Sequence, residues 1–141
     1  MIIVDTNILS ENIAPVPSVS VVHWFSAQTA DDLYTTAITE AEVIYGIERL
    51  PRGKRRTLLF EQIERTFAED FAGRVLSFDQ SAARLFGQIR AQREKICRPM
   101  GILDAQIAAI AISNVAALAT RNTRDFENCG LKLINPWNYS N

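Results

Sequence analysis

Histidine is almost missing from this chain; His23 is the single copy. It falls in a helical stretch facing away from the acidic positions described below, so a zinc site is not expected. Cysteine is scarce as well. Cys97 and Cys129 have neither CxxC nor metal-type spacing, which predicts two reduced, structural thiols and no disulfide framework. There is no surplus of positive charge: 15 Lys and Arg face 16 Asp and Glu, a net charge of −1. Binding driven by overall basicity is thereby excluded, although a local basic patch is not. No apolar run is long enough to span a bilayer, since the stretch 102–119 is broken by Asp104, Gln106, Ser113 and Asn114. Nothing resembles a signal peptide, so a cytoplasmic location is expected. Internal repeats, low-complexity tracts and linkers are absent too.

What remains suits one packed unit. With 141 residues, 48% of them hydrophobic, the chain can bury a real core and is expected to form a single domain over 1–141. It opens Met1-Ile2-Ile3-Val4-Asp5, an apolar run that stops on a carboxylate. Such a run predicts a strand buried on both faces, Ile2–Val4, in a parallel sheet. Strand-like and amphipathic helical runs then alternate. Val19–Gln28 is a predicted helix and Leu33–Ile38 a second strand. Thr39 begins a helix reaching about Leu50, Pro51-Arg52-Gly53 breaks it, and a further helix follows over 54–72. Leu58, Leu59, Ile63 and Phe67 form its apolar stripe. Arg74–Phe78 is a third strand, and Asp79 is the expected N-cap of a helix running to about Ile96. An Ala-rich helix spans 101–114, and short strands follow at Ala116–Thr120 and Lys132–Ile134. This order predicts a three-layer α/β/α sandwich: a central, mostly parallel five-stranded sheet and a projecting helical hairpin.

Four acids fall where strands end or helices begin: Asp5, Glu42, Asp104 and Asp125. Each has a plain structural alternative. Glu42 completes a Thr-x-x-Glu capping box with Thr39, Asp104 is a candidate N-cap for Ala105, and Asp125 suits a polar turn. Asp5 has the weakest such alternative. Asp104 also shares a helical face with the apolar Ile107, Ala108 and Ala111. In open α/β sheets the working crevice lies beyond the carboxyl ends of the strands, and all four acids are expected along that edge. Crowded carboxylates repel unless a cation neutralises them. Oxygen donors without His or Cys suit Mg²⁺ or Mn²⁺. Such a site can activate water for in-line attack on a phosphodiester. Asn7, Thr39 and Asn122 are neutral groups at the same rim, suited to orienting ligands.

The stretches Ile3-Val4-Asp5-Thr6-Asn7, Ile38-Thr39-Glu40-Ala41-Glu42, Leu103-Asp104-Ala105-Gln106 and Ala119-Thr120-Arg121-Asn122-Thr123-Arg124-Asp125-Phe126 occur in that order, closed by Leu133-Ile134-Asn135-Pro136-Trp137. Together they resemble PIN-domain ribonucleases, specifically the VapC-like toxins of toxin–antitoxin pairs. The resemblance implies a Mg²⁺- or Mn²⁺-dependent endoribonuclease with Asp5 and Asp104 as the main metal ligands and Glu42 beside them. Asn122 stands where some relatives carry Asp, so the fourth acid is assigned to Asp125. The resemblance further implies a homodimer, an RNA substrate and a cognate antitoxin protein.

Arg52, Lys54, Arg55 and Arg56 form a basic run at the hairpin tip, a candidate attractor for RNA beside an acidic site. Arg90, Arg93, Lys95 and Arg98 are expected to extend that rim. Two rivals stand beside the ribonuclease. One is a degenerate domain that only binds RNA or a partner, which Asn122 leaves open. The other is a phosphatase using Asp5 as a covalent nucleophile, disfavoured by Asn7 in place of a second acid.

Overall fold

A computed structural model describes residues 1–140. The strands are β1 (Ile2–Val4), β2 (Leu33–Thr36), β3 (Val75–Leu76), β4 (Ala117–Ala119) and β5 (Leu133–Ile134). They form one sheet of five, in the order β3-β2-β1-β4-β5, with every pairing parallel. Ile3 of β1 lies between Tyr34 and Leu118. Among the described residues six α-helices surround the sheet: α1 (Thr6–Asn12), α2 (Val19–Ala27), α3 (Ala37–Glu48), α4 (Lys54–Arg65), α5 (Gln80–Lys95) and α6 (Ile102–Ser113).

The pleat sends successive side chains to opposite faces, and the core divides accordingly. Ile3 and Leu118 pack with Ile89 of α5 and Ile107 and Ala108 of α6. Val4 and Ala119 pack on the other face with Ile8, Val21, Ile47 and Ile63 from α1 to α4. The result is the expected α/β/α sandwich. Ala105, Ala108, Ala109 and Ala111 are all fully buried, and their small side chains let α6 lie close to the sheet and to α5. No helix among the described residues is long and apolar enough to cross a membrane.

Several boundaries differ from the sequence expectation. α1 was not anticipated: its seven residues bury only Ile8 and Leu9, too few for a periodic signal. β2 stops at Thr36, not Ile38, because the Thr36 hydroxyl caps α3 by accepting from the Thr39 N–H at 3.0 Å. The Thr39–Glu42 capping box is therefore replaced by a cap one turn earlier. Similarly, Gly101 is the N-cap of α6, which places Asp104 inside the first turn. Asp79 does cap α5, accepting from the Ala82 N–H at 2.9 Å. The helix expected over 54–72 is α-helical only to Arg65. A π-turn then covers Thr66–Asp70, closed by the Phe71 N–H donating to Thr66 O at 3.0 Å. That turn leaves both Phe67 and Phe71 buried, while Leu58 near the exposed hairpin tip faces solvent.

Candidate functional site

The sheet is built outward from β1, with β2 and then β3 added on one side and β4 and then β5 on the other, so the order of addition switches sides at β1. A crevice opens beyond the strand ends at such a point, and Asp5 stands in it. The Asp5 N–H donates to Ala119 O at 3.2 Å, extending the β1–β4 pairing by one residue. Its Oδ1 accepts from the Ile8 N–H at 3.3 Å, which makes Asp5 the N-cap of α1. This is a structural role the sequence did not suggest. The side chain is only 5% exposed. Burial pushes its pKa up to about 6, hydrogen bonds from the Thr120 side chain and the Ile8 and Asn7 N–H groups oppose the shift, and the charge of Asp104 adds to it.

Asp104, half-buried in the first turn of α6, is the electrostatic hub. Burial raises its pKa, and the charges of Asp125 and Glu42 raise it further. Glu42, half-buried on α3, is held by the Thr6 hydroxyl, which donates to its Oε1 at 2.9 Å. Thr6 directly follows Asp5, so one short segment positions two of the acids. Asp125 is exposed in a 3₁₀ turn at Thr123–Phe126, and its N–H donates to Asn122 O at 3.0 Å.

The four acids thus lie on one edge within electrostatic reach of their neighbours. The ion pairs among the described residues join Arg56 to Glu48, Arg74 to Asp31, Arg90 to Glu94 and Arg98 to Glu127; none uses an acid of the cluster. Charge and donor chemistry therefore fit a hard divalent cation. In the rotamers present, no three Asp, Glu, His or Cys side chains among the described residues are gathered tightly enough to hold an ion. Asp5 and Glu42 are instead turned onto hydrogen-bond donors of the protein.

The neutral candidates separate. Asn7 and Asn122 line a polar pocket of about 430 Å³ with Ser10, Glu11, Arg121 and Trp137. Thr39 is fully buried, and its hydroxyl accepts from that of Thr36 at 3.2 Å, which takes it off the rim. The basic run is divided. Arg56 is paired with Glu48 and lies over the Phe60 ring, Arg55 faces a cleft between α1 and α4, and Arg52 and Lys54 are exposed.

Arg93 corrects the expectation of a longer basic rim, because it is 4% exposed. Its Nη1 donates to Asp125 O at 3.0 Å and Glu127 O at 2.8 Å, and its Nε donates to Arg98 O at 2.7 Å. One guanidinium therefore ties the turn bearing Asp125 to the segment leading into α6. Its signal was legible in principle, since Arg93 continues the buried stripe through Ala82 and Ile89. Thr6 and Thr120 were also missed as partners of the acids, although both flank polar strand ends.

A sequence profile of the PIN domain matches residues 2–130. The VapC ribonuclease Y4jK of Sinorhizobium fredii is 41% identical over 137 residues, covering 97% of this chain and 98% of that protein. Toxin FitB of Neisseria gonorrhoeae is 36% identical, covering 97% and 99%. The crystal structure of FitAcB from Neisseria gonorrhoeae superposes with a TM-score of 0.92 at 36% identity, covering 98% of this chain and 99% of that one. Sequence and fold agree over nearly the whole length, and the chain belongs to the PIN domain family.

Proposed function

We propose that this chain is a metal-dependent endoribonuclease and the toxin of a toxin–antitoxin pair. One observation carries the reading: Asp104 sits among Asp5, Glu42 and Asp125, where each neighbouring charge opposes its ionisation or is opposed by it. A structural cluster would be expected to recruit an arginine or lysine; this one has none among its ion pairs. The relatives named a VapC ribonuclease and a toxin support the same class.

Asp5, Glu42, Asp104 and Asp125 would hold Mg²⁺ or Mn²⁺. The bound ion would supply Lewis-acid stabilisation of the phosphodiester and a lowered pKa for the attacking water. The chain's own contribution is positioning. Thr6 aims Glu42, while Thr120 and the Ile8 N–H fix the Asp5 carboxylate. Asn7 and Asn122 offer neutral hydrogen bonds at the pocket beside them. No serine, cysteine or histidine is assigned a covalent role.

The antitoxin is the proposed occupant of the cleft of about 900 Å³ between α1 and α4, lined by Ile13, Leu58 and Leu59 with Arg55, Glu61 and Arg65 at its charged margin. Leu58 is 59% exposed, an apolar side chain that an amphipathic partner helix would cover. A homodimer belongs to the same reading and is tested by light scattering.

Cleavage of labelled single-stranded RNA and calorimetric titration with Mn²⁺ test the assignment together. Asp5→Asn and Asp104→Asn are each expected to lose at least about a hundredfold in cleavage and in Mn²⁺ affinity. Either variant cleaving like the parent, or a parent without a carboxylate-dependent Mn²⁺ site, overturns it.

A further inference from the structure

The polar pocket lined by Asn7, Ser10, Glu11, Arg121, Asn122 and Trp137 adjoins the acids without belonging to them. Asn7 lies two residues beyond Asp5. The Asn122 N–H donates at 3.1 Å to the same Thr120 hydroxyl that supports Asp5. One wall is rigid. β5 runs beside β4, and the 3₁₀ turn that follows it is capped by Asn135, whose Oδ1 accepts from the Trp137 N–H at 3.0 Å. The inner side of Trp137 packs on the core cluster around Val4 and Ile8. Its outer side carries Arg121, with the guanidinium carbon 5.2 Å from the ring centroid. Arg121 is exposed and takes no part in the ion pairs of the described residues. Its guanidinium is therefore available to a ligand.

The remaining lining identifies the ligand. One oxygen of Glu11 is already engaged, accepting from the Ser18 N–H at 2.7 Å. Asn7, Asn122 and Ser10 are neutral and offer both donors and acceptors, as the edge of a nucleobase requires. A pocket for phosphate alone would call for more than one cation, and an apolar ligand would find few apolar walls. Unstacked bases of single-stranded RNA lie readily on aromatic rings and on guanidinium planes.

We propose that this pocket is a nucleotide subsite, in which one base of a single-stranded RNA lies against the Arg121 guanidinium, itself held over the Trp137 ring. The inference rests on the ribonuclease reading insofar as the phosphate flanking that base is taken to sit at the acids.

The test uses the full chain in EDTA, so that no cleavage intervenes, with a fluorescein-labelled RNA decamer of mixed sequence read by anisotropy. Arg121→Ala is expected to weaken binding about tenfold. Arg121→Lys restores the charge without the plane and is expected to recover less than half of that loss. Arg84→Ala, which removes an exposed charge on α5, is expected to change affinity by less than about twofold. In NMR titrations the indole N–H of Trp137 should shift while that of the core residue Trp24 stays in place. Unchanged binding by Arg121→Ala, full recovery by Arg121→Lys, a static Trp137 signal, or no RNA binding by the parent each overturns the subsite. Arg121-dependent binding without metal-dependent cleavage would leave the subsite standing and remove the nuclease. Cleavage with an unchanged KM in Arg121→Ala would do the reverse.

Discussion

The guanidinium of Arg93 donates to the backbone carbonyl of Asp125 at 3.0 Å from a side chain that is 4% exposed. The charge is met by carbonyls of Asp125, Glu127 and Arg98 and not by a carboxylate. Removing it leaves those acceptors unsatisfied and frees two segments, one bearing Asp125 and the other leading to Asp104. Arg93→Met is expected to cost about 3 kcal/mol of stability and to weaken Mn²⁺ binding roughly tenfold. Arg93→Lys, which reaches fewer carbonyls, should fall between. Urea denaturation and calorimetry measure the two effects, and a Met variant as stable as the parent contradicts the role.

Thr6 acts on the opposite side of the cluster. Thr6→Val keeps the side-chain volume but removes the hydroxyl that donates to Glu42 at 2.9 Å. The expected stability loss is only about 1 kcal/mol, because half-buried Glu42 can turn toward water. Mn²⁺ affinity should fall about tenfold as Glu42 loses its orientation. In a Glu42→Gln background the same change should have little further effect on the metal. Additive losses in the double variant would show that Thr6 works through some other contact.

The acids were legible because each ends an apolar run or opens a helix, and the alternation of strand and helix implied one sheet edge for all of them. Their hydrogen-bond partners were not, since they depend on local cap geometry. Leu33–Ile38 carries the β-branched and aromatic residues of a strand, yet the Thr36 hydroxyl ends it and hands Ala37 and Ile38 to α3. α1 is too short to show a helical period, so Asp5 looked like a bare carboxylate when it is also a cap. Arg93 looked like surface charge because a basic residue among Arg90, Lys95 and Arg98 blends into its neighbours; only the register of α5 turns it inward.

α6 ends with an uncommon choice of residue. Val115 has φ of 53°, a left-handed conformation that a β-branched side chain disfavours. The Val115 N–H donates to Ile112 O at 3.0 Å and the Ala116 N–H to Ala111 O at 2.9 Å, the bonding of a Schellman cap in which glycine usually holds this position. Val115 is 92% exposed, so its side chain contributes little packing. Val115→Gly is expected to raise stability by about 1 kcal/mol with RNA cleavage unchanged. A lower Tm would mean that the side chain makes contacts elsewhere.

Asp5 links the site to stability through pH. Its pKa stands at about 6 in the folded chain against an ordinary 3.8. Between those values the native state keeps a proton that the unfolded chain has lost. Stability therefore falls as pH rises through this window, by about 3 kcal/mol once Asp5 is fully ionised. The raised pKa of Asp104 acts in the same direction. Asp5→Asn removes the penalty of the buried charge while its amide oxygen can still accept from the Ile8 N–H as an N-cap. In metal-free buffer at pH 8 this variant is expected to be more stable than the parent and to show a flatter profile between pH 4 and 6. Saturating Mn²⁺ should stabilise the parent, since an ion that binds only the folded chain shifts its equilibrium, and should leave Asp5→Asn nearly unaffected. A variant less stable than the parent at pH 8 without metal would show that the buried carboxylate is satisfied by Thr120 and its backbone donors alone, and the need for a cation at this edge would disappear with it.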